Sequence, residues 1–193
     1  GWDQQVVTNR IYATASIDYK IFNDLTATAR FGTNLMDSRL DLYENDKFQV
    51  GRGLNGRSSI INNESTYYIS EFLANYEKTL GDHNFKVLGG ITYESNQTRR
   101  HYSMASDMLS NVTLTNLQQS GNQETLIAES GKFKNTLQSS LARINYSFKD
   151  KYLITASVRR DGTSRFSDKY KYATFPSASV GWKVTSEPFM DNL

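Results

Sequence analysis

The fold is decided by one stretch, LARINYSFKDKYLITASV, which covers residues 141–158. Apolar and polar residues alternate on both sides of Lys149-Asp150-Lys151, and this period of two is typical of β-strands rather than helices. A three-residue loop there would place apolar side chains of the two strands opposite each other: Phe148 with Tyr152, Tyr146 with Ile154, and Ala142 with Val158. The stretch therefore predicts a β-hairpin with one apolar and one polar face.

The same alternation recurs along the chain. It is found in seven segments: 10–21, 25–36, 66–78, 85–98, 133–148, 152–160 and 173–185. Short turns near Asn23-Asp24 and Gly81-Asp82 join two further hairpins, and their lengths also bring apolar faces together, pairing Ile21 with Leu25 and Tyr76 with Val87. We therefore predict an all-β protein, an antiparallel up-and-down meander of about seven strands.

The connections between these segments alternate between short turns and long polar loops. Long connections are predicted near 37–65 and 97–131, and a shorter one at 162–172. In an up-and-down barrel every second connection lies on the same rim, and bacterial outer-membrane barrels have short turns on the periplasmic rim and long loops outside. The sorting predicts that the meander is part of a transmembrane β-barrel.

The two faces of the predicted strands support this reading. Tyr68 and Tyr76 lie eight residues apart on one face, as do Phe85 and Tyr93. Eight residues of tilted strand climb roughly 20 Å, close to the apolar band that aromatic girdles flank in outer-membrane barrels. The opposite face carries charged residues: Asp18, Arg30, Glu71, Lys86, Arg143 and Arg159. Unpaired charges are costly in a dry core, so we expect this face to line a lumen.

Composition excludes several other classes. The chain of 193 residues has no cysteine, which rules out a disulfide framework, a cysteine-based zinc site and a thiol nucleophile. Its net charge of +2 is too small to indicate nucleic-acid binding. It also lacks an apolar run of the roughly 18 residues that a membrane-spanning helix needs.

A glycine pattern in the first long loop resembles a phosphate-binding motif. Gly51, Gly53 and Gly56 match G-x-G-x-x-G, which binds phosphate only when a helix follows it. Residues 57–63 show no helical period, so we interpret the motif as a loop.

Few residues suggest a catalytic or metal-binding site. His83 lies in a predicted turn, and His101 is near Ser103 and Asp107 only in sequence, which does not define a catalytic triad. Glu44 and Asp46 could join a calcium site, although a solvated loop is the preferred reading. We predict no enzyme and no catalytic, cofactor-binding or metal-binding residue, and the sequence does not identify substrate contacts.

Linked blocks in the last third of the chain point to a family. They are, in order, residues 141–148, Lys151-Tyr152-Leu153, residues 156–162 (ASVRRDG), Ser164-Arg165-Phe166, residues 175–182 (FPSASVGW) and Glu187-Pro188-Phe189. Their order resembles the barrel of SusC/RagA-type TonB-linked outer-membrane transporters of Bacteroidetes. The resemblance is strong over 141–193 and looser over 1–140.

The resemblance implies a parent with a 22-stranded barrel, a plug domain, a TonB-contacting segment and a SusD-like surface lipoprotein as partner. Such transporters lie in the outer membrane of Gram-negative bacteria and import glycan fragments or peptides. Residues 1–193 would be a single partial domain, with the plug domain and TonB box absent. The alternative is a soluble β-rich carbohydrate-binding module that uses exposed loop aromatics such as Tyr43, Phe48 and Tyr102.

Overall fold

The computed structural model describes residues 2–47, 53–109 and 116–190. Its strands are β1 (Trp2–Phe22), β2 (Leu25–Glu44), β3 (Arg57–Leu80), β4 (His83–Ser106), β5 (Ile127–Phe148), β6 (Tyr152–Thr163) and β7 (Tyr172–Trp182). They form one antiparallel sheet in sequential order, which confirms the predicted meander of seven strands.

The helices in the described ranges are short 3-10 turns between the strands or after β7. They cover Leu117–Gln119, Gln123–Thr125, Asp168–Tyr170, Val184–Ser186 and Pro188–Met190. None of the helices in the described ranges is long and apolar enough to cross a membrane.

Several strands are longer than predicted, so the long connections are shorter. The connection predicted near 37–65 covers only 45–56, the one near 97–131 covers 107–126, and the one at 162–172 covers 164–171. In the extra part of β2, Asp37, Arg39 and Asp41 occupy the face that is apolar earlier in the strand, which interrupts the alternation on which the prediction depended. Strand β7, in contrast, is shorter than predicted: it ends at Trp182 instead of 185 because a 3-10 turn begins at Val184.

The chain divides into two compact units. The first, here called the loop unit, comprises Gly1–Tyr12, Thr33–Tyr67 and Asn96–Lys134 and contains the two long connections. The second, the turn unit, comprises Ala13–Gly32, Tyr68–Ser95 and Asn135–Leu193 and contains the three short turns.

In the turn unit the register agrees with the predicted hairpins. Strands β5 and β6 pair as expected: Phe148 with Tyr152, Tyr146 with Ile154 and Ala142 with Val158. The two-residue turn at Gly81-Asp82 is confirmed by cross-strand contacts of Glu77 with Lys86 (3.1 Å) and of Thr79 with Asn84 (2.7 Å). The predicted parity of β1 and β2 fits the hydrogen bond that Thr28 Oγ1 donates to Asp18 Oδ1 (2.5 Å).

The buried apolar core lies in the loop unit. Among the described residues it consists of Tyr43, Ala105 and Met108, with Leu117 packed against them. In the described part of the turn unit, by contrast, the buried residues are Ser139, Gly162 and Glu187, and none of them has an apolar side chain. The large apolar side chains of the turn unit are therefore not stabilised by a core within this chain.

Candidate functional site

The apolar face of the turn unit, here called the apolar wall, is open to its surroundings. Val180 is 85% exposed and Ile17 is 67% exposed. The other exposed members include Tyr19, Phe31, Tyr68, Phe72, Tyr76, Val87, Ile91, Tyr93, Ile144, Tyr152, Ile154, Val158 and Trp182. Soluble monomers rarely expose contiguous apolar patches larger than a few hundred Å², so a surface of this extent indicates an interaction surface for lipid or for another protein.

The short-turn end of the apolar wall carries an aromatic cluster. His83, the first residue of β4, lies 2.8 Å from the Tyr146 hydroxyl through Nδ1, and its ring centroid lies 4.8 Å from that of Phe148. The Phe85 and Tyr146 rings are 5.0 Å apart. Amphipathic rings are favoured at membrane interfaces, so this cluster has the composition of an aromatic girdle. His83 therefore belongs to this aromatic cluster, which its predicted position in a turn did not indicate.

Ion pairs satisfy much of the charge on the polar face of the turn unit. Arg30 Nη1 lies 2.9 Å from Glu71 Oε2, and Lys86 pairs with Glu77. These residues follow the predicted alternation, since they lie on the face opposite the apolar wall. Arg143 has no ion pair within the described ranges. The face therefore has the polarity expected of a wet or plug-filled lumen.

The Arg159-Arg160-Asp161-Gly162 block has a structural explanation. Arg159 Nε donates to Asp161 Oδ1 (2.7 Å) on the polar face, while the guanidinium of Arg160 lies 4.8 Å from the Tyr172 ring centroid. Gly162 is the cross-strand partner of Tyr172, and a Cβ at this glycine would overlap that ring. The block therefore fixes the pairing of β6 with β7, as an aromatic ring covering a strand glycine does elsewhere.

A buried carboxylate organises the segment after β7. Glu187 is 9% exposed and accepts hydrogen bonds from Trp182 Nε1 (3.1 Å) and the Tyr152 hydroxyl (2.9 Å), with Lys151 Nζ at 3.2 Å. These three donors, led by the Trp182 indole, lower the pKa of the Glu187 carboxyl. The sequence identified Glu187-Pro188-Phe189 as a block but gave no sign of this role.

In the loop unit, β1 and β2 carry a group of polar and aromatic side chains suited to ligand contact. Arg10 Nε donates to Asn34 Oδ1 (2.7 Å), and the hydroxyls of Thr8 and Ser38 are 3.1 Å apart. Tyr12, on the same face of β1 as Arg10, is 72% exposed. Arg10 has no carboxylate partner among the described residues, so its terminal N–H groups remain available to a ligand.

The two long connections are joined by backbone hydrogen bonds. The Asp107 N–H donates to the Leu54 carbonyl (2.8 Å), and the Met108 N–H donates to the Asn55 carbonyl (3.1 Å). Asn55 Nδ2 also donates to Asp107 Oδ1 (2.8 Å). We call residues 53–56, 107–109 and 116–126 the loop platform, because its parts are tied together rather than separate.

Apolar packing also stabilises the loop platform, and it corrects one prediction. Met108 packs with Tyr43 and Ala105 from β2 and β4. Tyr43 was expected to be an exposed loop aromatic, but it is 5% exposed and belongs to a strand. Tyr102 likewise lies in β4 and is half-buried, while Phe48 lies outside the described residues. The prediction that Tyr43 is an exposed, ligand-contacting aromatic, which the soluble-module alternative needs, is therefore wrong.

The glycine motif is a loop, as predicted. Gly53 and Gly56 have φ angles of +86° and +84°, which favour glycine, and the chain then enters β3 at Arg57 rather than a helix. Gly51 lies outside the described residues. The helix N-terminus that a phosphate cradle requires does not follow this motif.

Two of the residues considered for catalysis or metal binding have other hydrogen-bond partners. Asp107 bonds with Asn55, and Glu44 accepts from Arg57 Nε (2.6 Å). No group of three or more His, Asp or Glu residues suited to a metal ion occurs in the part of the chain that the structure describes.

An apolar wall on one face of a meander and a polar, ion-paired face on the other define a class of protein. This is one wall of a transmembrane β-barrel, in which lipid-facing and lumen-facing residues alternate along each strand.

Comparison with known proteins identifies the family. No protein-family model matches the chain. TonB-dependent receptor P3 of Formosa agariphila is 30% identical over 173 residues, which are 89% of this chain and 17% of that receptor. TonB-dependent receptor SusC of Bacteroides thetaiotaomicron is 45% identical over 60 residues, 31% of this chain and 6% of SusC. The structure of the RagAB peptide transporter has the same fold, with a TM-score of 0.89 and 18% identity over 96% of this chain and 21% of its own.

The chain belongs to the SusC/RagA-type TonB-dependent receptors, of which it is a barrel segment. It spans less than a fifth of the length of the curated relatives it matches. Receptors of this type lie in the outer membrane of Gram-negative bacteria, so the apolar wall faces outer-membrane lipid.

Proposed function

We propose that the receptor containing this segment imports nutrients, either glycan fragments or peptides, across the outer membrane. The observation that carries this proposal is the sheet with a lipid-facing apolar wall and an ion-paired polar face. Residues 1–193 act as one partial domain that supplies barrel wall, lumen lining and surface loops. Its role is transport rather than catalysis, and plug and TonB-contacting segments belong to other parts of the receptor.

A SusD-like surface lipoprotein and the TonB complex are the proposed partners. The lipoprotein covers the external opening and captures cargo, TonB displaces the plug, and cargo then passes through the lumen. The loop platform suits the docking of this lipoprotein because its two connections are joined by backbone hydrogen bonds of 2.8 and 3.1 Å. A pre-organised surface loses less conformational entropy on binding than separate flexible loops do.

Arg10, Asn34 and Tyr12 are the proposed cargo contacts of this segment. An exposed aromatic ring stacks on the apolar face of a sugar or on an apolar side chain, while guanidinium and amide groups bind hydroxyls or carbonyls. These groups suit both cargo classes. The structural similarity to RagAB, a peptide transporter, favours peptides as the cargo, and the same polar groups also suit glycans.

Growth of a strain that carries the receptor tests the proposal. Deleting the receptor gene should abolish growth on one oligomer class, either a glycan digest or a peptide digest, and leave growth on the corresponding monomers unchanged. An Arg10→Ala, Tyr12→Ala receptor should reduce oligomer uptake at wild-type receptor levels, whereas Lys20→Ala, an exposed polar change in the same strand, serves as the control. Normal growth of the deletion strain on both oligomer classes would refute the proposal.

A further inference from the structure

The apolar wall is not uniform, because part of it is concave. Strands β1 to β4 surround a recess of about 430 Å³ within the turn unit, lined among others by Ile17, Tyr19, Ala29, Phe72, Gly89 and Ile91. The volume lies in the range of about 300–1,000 Å³ that is typical of small-molecule sites.

Gly89 has no role within the sheet that requires a glycine. It lies inside β4, where a glycine weakens the strand, and its φ is not in the left-handed region. A Cβ added at Gly89 would have no atom within 4 Å. At the next residue, Gly90, an added Cβ would overlap Leu73, so packing within the sheet explains that glycine but not Gly89.

The space over Gly89 therefore lies open to a molecule outside the sheet, and the surroundings indicate its chemistry. Ile17 and Ile91, two of the large side chains that border the recess, are 67% and 53% exposed and belong to the lipid-facing wall. The lining side chains are almost all apolar, and no charged side chain is among them. Hydrocarbon is the solvent of this face, so a charged or sugar ligand is disfavoured here.

We propose that this recess binds one acyl chain of an outer-membrane lipid. A chain that lies in the recess contacts side chains on more than one side, whereas a chain on the wall outside the recess contacts them on one side only. The bound chain is therefore held longer than ordinary boundary lipid. This inference depends on the lipid-facing wall and not on the proposed import function.

Photo-cross-linking of the full receptor tests the site. The receptor is reconstituted in vesicles of phosphatidylethanolamine and phosphatidylglycerol that contain a small fraction of phosphatidylcholine with a diazirine in the middle of one acyl chain. After illumination, peptide mass spectrometry should find adducts at Phe72 and Ile91 in about five-fold excess over those at Val158, which is exposed on the same wall outside the recess.

Filling the recess should remove the excess. A Gly89→Leu receptor should lose the excess adducts at Phe72 and Ile91 and keep those at Val158, while Ala178→Leu on β7, on the same face but outside the recess, should change neither. If Gly89→Leu fails to insert, Gly89→Ala provides the test, because its added Cβ meets nothing within 4 Å and should give a partial loss.

Two results would overturn the proposal. Equal labelling of recess and control positions would show ordinary boundary lipid only. Efficient disulfide formation between Ala29→Cys residues of two receptor copies in the same vesicles would assign the recess to a second copy of the chain.

Discussion

The cost of an arginine on the apolar wall should depend on its depth and its face. Val158 lies between Ala142 and Pro176 in the register, six residues from the interfacial Tyr152, while Ile154 lies two residues from it. At about 3.3 Å per residue and a tilt of about 40°, these positions are roughly 15 Å and 5 Å from the girdle. Val158→Arg should therefore cost about 2–4 kcal/mol near the midplane, and Ile154→Arg about 0–1 kcal/mol.

The matched control is Ser177→Arg, one residue from the Pro176 that pairs with Val158, but on the polar face. It should cost much less than Val158→Arg because its side chain does not enter lipid. The assay is guanidinium unfolding of the full receptor in phospholipid vesicles, followed by tryptophan fluorescence. Equal costs at Val158 and Ser177, or equal costs at Val158 and Ile154, would refute the assignment of the wall to lipid.

Three further changes test separate parts of the structure. Because the pKa of the Glu187 carboxyl is lowered, its stabilising effect is present above the ordinary carboxyl value of 4.5 and is lost as pH falls below that value. The melting temperature of the wild type should therefore fall in acid more than that of Glu187→Gln, and parallel curves of melting temperature against pH would contradict this. Met108→Ala should destabilise the loop platform by roughly 2–5 kcal/mol, seen as faster hydrogen exchange in residues 116–126 with normal membrane insertion, and unchanged exchange would count against a packed platform. Gly162→Ala should cost about 1–3 kcal/mol through overlap with Tyr172, and adding Tyr172→Ala should recover part of it; additive losses in vesicle unfolding would reject the pairing role.

The register of the hairpins could be predicted because turn length and alternation are local properties. Pairing Phe148 with Tyr152 needs only the spacing across 149–151, and the structure has this pairing. The apolar wall could also be predicted, since a residue such as Ile154 follows the alternation of its own strand.

Other features depend on contacts between residues that are distant in sequence. The ends of β2 and β3 were missed because charged residues such as Arg39 occupy the face that is apolar elsewhere in those strands. The burial of Tyr43 follows from packing with Met108, 65 positions later, and Glu187 meets Tyr152 across 35 residues. No spacing rule within one segment predicts these contacts.

The most direct test of the whole account is the accessibility of spin labels in the full receptor reconstituted in vesicles. The lipid-facing set is Tyr19, Tyr76, Tyr146, Ile154 and Trp182, and the interior set is Arg30, Glu71, Arg143 and Arg159. Labels replacing the first set should collide with oxygen dissolved in lipid, and labels replacing the second with a water-soluble nickel complex or with the plug. A label at Tyr146 that reports the aqueous interior would contradict the register on which the lipid-facing wall depends.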